Sequence, residues 1–296
     1  MTDKLALSVA IITKDEEDNL ADCLRSVAFA AQIVVVDSGS RDGTLQIARD
    51  FGCDVFEEPW RGGFGAQKQF AIDQCRHPWV LVLDADERIP AETAMVIKRL
   101  TDTGPEEAST LFSSLPFDSS RGSGSGPGPG LYRIVSGAAA GYSFTRKNYF
   151  QGRWIRHAGW WPDRLVRLFR RGRGGMSPAA VHEGVEVNGI VEPLNVSLEH
   201  FTESDLSKIL QKIDRYSSLG AKEAYDAGRR ATAGGAMFRA GLTFFQDYIL
   251  RLGVLDGPQG LTLAVTDSVN KFFKYAKLAE MSRRGQTITT NNNNRT

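Results

Sequence analysis

Cysteine is scarce in this chain. Cys23, Cys53 and Cys75 are the only three among 296 residues, and they show no C-x-x-C spacing. An odd, unpatterned set argues against a disulfide framework and against a cysteine zinc site, and it favours a reducing compartment. Net charge is nearly absent as well. With 36 Lys and Arg against 35 Asp and Glu the formal charge is +1, so no global field draws the protein to nucleic acid. No stretch approaches the roughly 20 consecutive apolar residues that a membrane-spanning helix needs. Residues 1–4 carry an acid ahead of a short apolar strand, unlike a signal peptide. A cytoplasmic protein is the expectation. Hydrophobic residues at 42% and charged residues at 24% describe an ordinary globular chain with ample material for a core.

Short apolar runs alternate with amphipathic segments through the first hundred residues. LSVAIIT (7–13), residues 33–36, 53–56 and WVLVL (79–83) read as strands, and segments near 19–27, 43–51, 65–74 and 90–100 read as helices. Strands that are apolar without alternation, each followed by a helix, predict an open, mainly parallel α/β sheet covered on both faces. Composition changes abruptly over about 101–140, where RGSGSGPGPG (121–130) predicts a flexible insertion. Residues 164–169 alternate as a strand. Beyond 200 the patterns predict a helical region over 201–285, with helices at 205–226, 237–252 and 261–281, and a disordered tail over 286–296. The α/β domain is accordingly assigned to 1–200.

The sharpest chemical signal is Asp84-Ala85-Asp86-Glu87 directly after WVLVL. In sheets of this kind ligands bind beyond the carboxyl ends of the strands. If residues 84 and 86 leave the strand on the same side, their carboxylates suit Mg²⁺ or Mn²⁺ together with the oxygens of a diphosphate. A helix cap is the plainer reading of such a tripeptide. VVVDSGS (34–40) is a second buried strand ending in an acid: Asp37 can accept hydrogen bonds from a base or ribose while Ser38 and Gly39 let the chain turn tightly, although a simple turn and cap would look similar. No glycine fingerprint follows the first strand, so a nicotinamide cofactor is not expected. A nucleotidyltransferase would be expected to show a glycine-rich, lysine-containing phosphate loop there, and none is present. The other alternative is a non-catalytic saccharide-binding protein.

ITKDEEDNL (12–20), VVVDSGSRDGT (34–44) and WVLVLDADE (79–87) resemble the ordered motifs of family 2 glycosyltransferases of the GT-A, Rossmann-like fold. NYFQGRWIRHAGWWPDRLVRLFRRG (148–172), VHE (181–183) and KFFKYAKL (271–278) look more specifically like lipopolysaccharide core β-1,4-glucosyltransferases. The resemblance implies transfer with inversion, a UDP-glucose or activated-heptose donor, and a divalent cation held by Asp84 and Asp86. It implies a donor-binding set of Thr13, Glu16, Asp37, Ser38, Gly39, Lys68, Asp84 and Ala85, with Asp37 at the uracil or ribose.

Inversion needs a base for the acceptor hydroxyl. Glu183 is the candidate, because VHE follows an arginine-rich strand in an otherwise apolar stretch; Asp163 and Glu186 are the runners-up, and His182 is a candidate metal ligand. Trp154, Arg156, Trp160 and Trp161 interleave indole faces with guanidinium forks, which suits a saccharide acceptor carrying phosphate or lipid-linked phosphate. MFRAGLTFFQDYILRL (237–252) reads as a core helix or, with one face exposed, as a segment lying in a membrane interface with Arg239 and Arg251 near phosphates.

Overall fold

A computed structural model describes residues 4–102, 139–177, 184–202 and 205–293, with side chains to residue 284. The expected insertion over 101–140 lies almost wholly outside the described residues. Two compact units form: Met1–Arg146 with Arg164–Glu199, and Lys147–Asp163 with His200–Thr296. Residues 147–163, which a linear reading keeps in the first domain, therefore belong to the second unit.

The first unit begins β1 (Leu5–Thr13), α1 (Glu17–Ser26), β2 (Ala30–Asp37), α2 (Thr44–Asp50), β3 (Asp54–Glu57), α3 (Phe64–Asp73), β4 (Trp79–Asp84), β5 (Glu87–Arg88) and α4 (Ala91–Asp102). β6 (Gly141–Phe150), β7 (Arg153–Trp154), β8 (Asp163–Arg170), β9 (Gly174–Met176), β10 (Val185–Val187) and β11 (Val191–Phe201) follow in the chain, of which β7 and the adjoining ends of β6, β8 and β11 belong to the second unit. One sheet runs β3-β2-β1-β4-β8-β6-β11-β5, with β7 paired to β6. β3, β2, β1 and β4 are mutually parallel, and β8 is antiparallel to β4.

The strands lack alternation because both faces are covered. Val9, Ile11, Leu81 and Leu83 point into one cluster with Leu20, Leu24, Ala48 and Ile97 of α1, α2 and α4. The intervening Ala10, Val80 and Val82 point the other way, onto Ala71 and Ile72 of α3. The period of two is present, but each face is apolar. Burial also disarms the cysteines: the Cys53 thiol is pushed up to about 11 and Cys75 to about 12, so neither is a reactive thiolate.

The second unit holds α5 (Leu206–Asp226), α6 (Ala233–Phe245), a π turn (Gln246–Leu250), a 3-10 turn (Gly253–Asp256) and α7 (Gly257–Asn293). Asp205 caps α5 by accepting from the amides of Ser207 and Lys208 at 2.7 and 3.2 Å. α7 continues through residues whose composition reads as a disordered tail, since an established helix adds one backbone bond per further residue. Strand β11 escapes a purely local reading: Pro193 interrupts its pattern, and its place in the sheet depends on distant partners.

Candidate active site

β1 is central. Chain connections pass from it to β2 on one side, while β4 flanks it on the other, so the carboxyl ends of β1 and β4 mark a topological switch point. Register brings three candidates to this edge: Thr13 pairs with Asp37, and Ile12 with Asp84. The neighbouring loops are tied together. Asp15 accepts from the Arg41 amide at 2.8 Å, the Glu16 amide donates to Thr44 Oγ1 at 2.8 Å, and Glu17 Oε2 accepts from the Gly43 amide at 2.7 Å. Glu16 Oε2 takes Asn19 Nδ2 at 2.9 Å.

Asp37 is buried, and its carboxylate organises its own loop. Oδ2 accepts from the amides of Gly39 and Ser40 at 2.8 and 2.9 Å, and Oδ1 takes the Ser40 hydroxyl. Gly39 stands at φ +90°, in the left-handed region where a side chain is strained. Asp37 thus holds Gly39 and Ser40 at the strand end, while the Ser38 amide donates to the Thr13 carbonyl at 3.0 Å.

Asp84 ends β4. Its Oδ1 meets Lys68 Nζ of α3 at 2.5 Å and its Oδ2 meets Arg167 of β8 at 2.9 Å. Burial alone would raise its pKa; Lys68 and then Arg167 more than reverse this and hold the carboxyl well below the usual range. Ala85 and Asp86 form a turn into β5, so strand alternation stops at Asp84 and does not by itself set the direction of Asp86. Asp86 is half-buried, and its carbonyl accepts from Arg88 at 3.3 Å.

Glu87 is the member of this acidic run that the linear reading left without a role. Fully buried, it accepts from Arg167 at 2.6 Å, from Arg146 at 3.2 Å and, through Oε2, from the Asp84 amide at 3.1 Å. Burial would lower the Arg167 pKa, but Glu87 and Asp84 drive it upward. Arg167 thus clamps β4 to β5. Its only sequence signal is a basic residue on the inward face of an alternating strand.

Among the described residues no three His, Cys, Asp or Glu side chains gather into a metal cage. Mg²⁺ ordinarily takes one or two protein carboxylates and completes its shell with water and substrate phosphates. Asp84 and Asp86 offer two carboxylates of that hardness, with both oxygens of Asp84 already meeting Lys68 and Arg167. His182 and Glu183 lie outside the described residues. Glu186 is exposed in the β9–β10 hairpin, and Asp163 takes Asn148 Nδ2 at 3.2 Å in the second unit.

That unit holds a cavity of about 670 Å³ whose walls include Arg153, Trp154, Arg156, His157, Asp256 and Gln259. Arg156 lies 4.2 Å and Lys147 5.2 Å from the Trp154 ring centroid, and Trp161 meets that ring edge-on at 5.2 Å. Buried Asp256 accepts from the amides of Arg156 and His157 at 3.3 and 2.9 Å and lies 3.1 Å from His157 Nδ1. Trp160 instead packs against Phe150, Ile155 and Leu263 in an apolar cluster.

Buried polar atoms without a partner are rare and call for an explanation. Among the described residues there are three: Thr13 Oγ1, Arg167 Nε and Trp154 Nε1. Two stand at the switch point and one in the wall of the cationic, aromatic cavity.

Residues 8–106 match the family model for glycosyl transferase family 2. The chain is 30% identical to the lipopolysaccharide core biosynthesis glycosyltransferase LpsC of Rhizobium meliloti, over 94% of this chain and 93% of that one. It is 24% identical to the uncharacterized glycosyltransferase RP128 of Rickettsia prowazekii, over 97% and 91% of the two chains. Among solved structures, S. aureus TarS 1-349 is similar at 15% identity and a TM-score of 0.41, over 94% of this chain and 91% of that one.

Proposed function

Because the chain belongs to glycosyl transferase family 2, we propose that it is an inverting transferase that moves a hexose such as glucose, or a heptose, from a nucleoside-diphosphate carrier to a saccharide acceptor in lipopolysaccharide core or related cell-surface glycan synthesis. The observation that carries this reading is the switch point itself, where Thr13, Asp37 and Asp84 stand in register at the carboxyl edge of the sheet.

In this reading Asp37, with Ser38 and Gly39 of the turn it organises, receives the nucleoside. Lys68 and Arg167 keep Asp84 ionised beside the diphosphate, and Asp84 with Asp86 would hold a divalent cation. The cation supplies charge screening for the departing diphosphate. The acceptor hydroxyl attacks the anomeric carbon, the bond from that carbon to the diphosphate oxygen breaks, and the hydroxyl proton passes to a carboxylate, for which Glu183 is the candidate. Trp154 and Arg156 bind the acceptor, whose sugar rings suit an indole face and whose anionic groups suit a guanidinium.

A thermal-shift panel of nucleoside diphosphates and nucleotide sugars, with and without Mn²⁺, tests the reading. A ligand at about 100 times its Kd adds roughly 2.7 kcal/mol to the folded state. UDP-glucose or an activated heptose should raise the melting temperature further with Mn²⁺ than alone; a flat response to every nucleotide sugar refutes the proposal. Thr13 allows a finer test. Thr13→Val keeps the shape and removes an unpaired hydroxyl, so stability should hold or rise. If that hydroxyl serves the donor, KM for the nucleotide sugar increases several-fold; an unchanged KM removes Thr13 from the donor site.

A further inference from the structure

The helix read from sequence as core or interfacial turns its apolar side outward. In α6 and the π turn, Ala236, Ala240 and Asp247 are buried, whereas Phe238, Leu242, Phe245 and Ile249, spaced by four, three and four residues, are exposed. Phe238 is 71% exposed and Leu250 64%. Leu252, Leu255 and Leu261 extend the same exposure into the start of α7. Monomeric proteins rarely leave so much contiguous apolar surface in water without a use for it.

Within the segment that carries this surface the exposed charges have one sign, with exposed Asp226 preceding it and half-buried Asp267 following it. Between residues 229 and 266 the acids are Asp247 and Asp256, both buried, and each has a basic partner, Arg251 at 2.9 Å and His157 at 3.1 Å. The exposed charges in that span are Arg229, Arg230, Arg239 and Arg251. Large apolar side chains in a segment whose exposed charges are all arginine match an interface between acyl chains and anionic headgroups. No helix among the described residues is long and apolar enough to cross a membrane, so such a surface would lie on a bilayer.

We infer that this face, α6 with the π turn and the first turns of α7, docks the protein on an anionic lipid surface. A symmetric contact between two copies would bring the same arginines together on both sides, which disfavours self-association. The inference rests on the exposed surface and stands apart from the transferase reading, although Leu255 and Asp256 also line the cavity proposed for the acceptor.

The test uses the full chain with vesicles of phosphatidylglycerol and phosphatidylethanolamine, and with phosphatidylcholine vesicles as the neutral comparison. Cosedimentation should favour the anionic vesicles and weaken as salt is added. Phe238→Glu with Leu242→Glu should reduce partitioning by about tenfold or more. Its melting temperature and its nucleotide-sugar thermal shift should match those of the parent, because both positions are exposed and outside the donor site. Failure of the parent to sediment, equal partitioning of the variant, or a parent dimer that the variant dissociates would each overturn the inference. Loss of the nucleotide-sugar response in the parent would count against the transferase reading alone.

Discussion

Asp86→Ala should abolish sugar transfer while lowering the melting temperature only slightly. The residue sits half-buried in the turn between β4 and β5, contributes its carbonyl to Arg88, and loses no backbone bond on substitution. Because Asp86 is charge-coupled to Arg88, its loss should cost about 1 kcal/mol, well short of unfolding. Turnover is a different matter: a carboxylate that holds a charge-screening cation contributes several kcal/mol to the transition state, so its removal should cost roughly a thousandfold in kcat. Initial rates of nucleoside-diphosphate release at saturating Mn²⁺, set beside a melting curve, give both quantities. Chelation of the parent enzyme should produce a loss of the same order that added Mn²⁺ reverses, while the variant stays inactive with Mn²⁺ present. A variant that retains activity within a few-fold of the parent would remove Asp86 from the mechanism.

Arg167→Ala should do the opposite to the balance of effects and unfold the site. Its guanidinium spans Asp84 and fully buried Glu87 at 2.9 and 2.6 Å, and Arg146 at 3.2 Å replaces only part of what Glu87 would lose. Removing one partner from a buried ion pair costs about 3–5 kcal/mol, because the remaining charge stays buried. Arg167→Lys should recover little, since a single ammonium cannot reproduce the fork that reaches both carboxylates. Pairing the change with Glu87→Met should restore much of the stability without restoring activity. The acid limb gives an independent reading. Asp84 titrates in the folded protein well below its unfolded value of about 3.9, so its contribution is complete above that value and is lost as pH falls through the depressed one. The variant, lacking a main cause of the depression, should show a shallower loss of stability in acid. Melting indistinguishable from the parent at neutral pH would show that the clamp contributes nothing.

The exposed apolar face and the clamp share one property: the pattern of the residues that build each does not settle it. Phe238, Leu242 and Phe245 suit a core helix or an interfacial one, and it is the packing of the described residues that leaves them exposed. Arg167 reads as one arginine among several, and its importance comes from Glu87, which lies 80 positions away in sequence. Asp86 is similar on a smaller scale. Strand alternation places it beside Asp84 on paper, but β4 ends at Asp84 and the following turn sets its direction.

Other features follow from the chain read in order. The predominantly apolar runs 7–13, 33–36 and 79–83 require a parallel sheet with both faces covered, because period-two side chains that are apolar on both faces need cover on each side. The acids that close two of those runs, Asp37 and Asp84, are thereby carried to the carboxyl edge, where ligands bind in such sheets. Local periodicity and strand-end position are properties of neighbouring residues, so the sequence by itself determined the parallel part of the first unit, β1 to β4 with α1 to α4, and the edge that carries the candidate site. Tertiary structure alone decided which distant arginines hold those acids, which hydroxyl and indole nitrogen stay unpaired, and which apolar helix face is left uncovered. Each of these depends on what packs beside a residue in space, and the chain brings those neighbours together only after the sheet and helices have assembled.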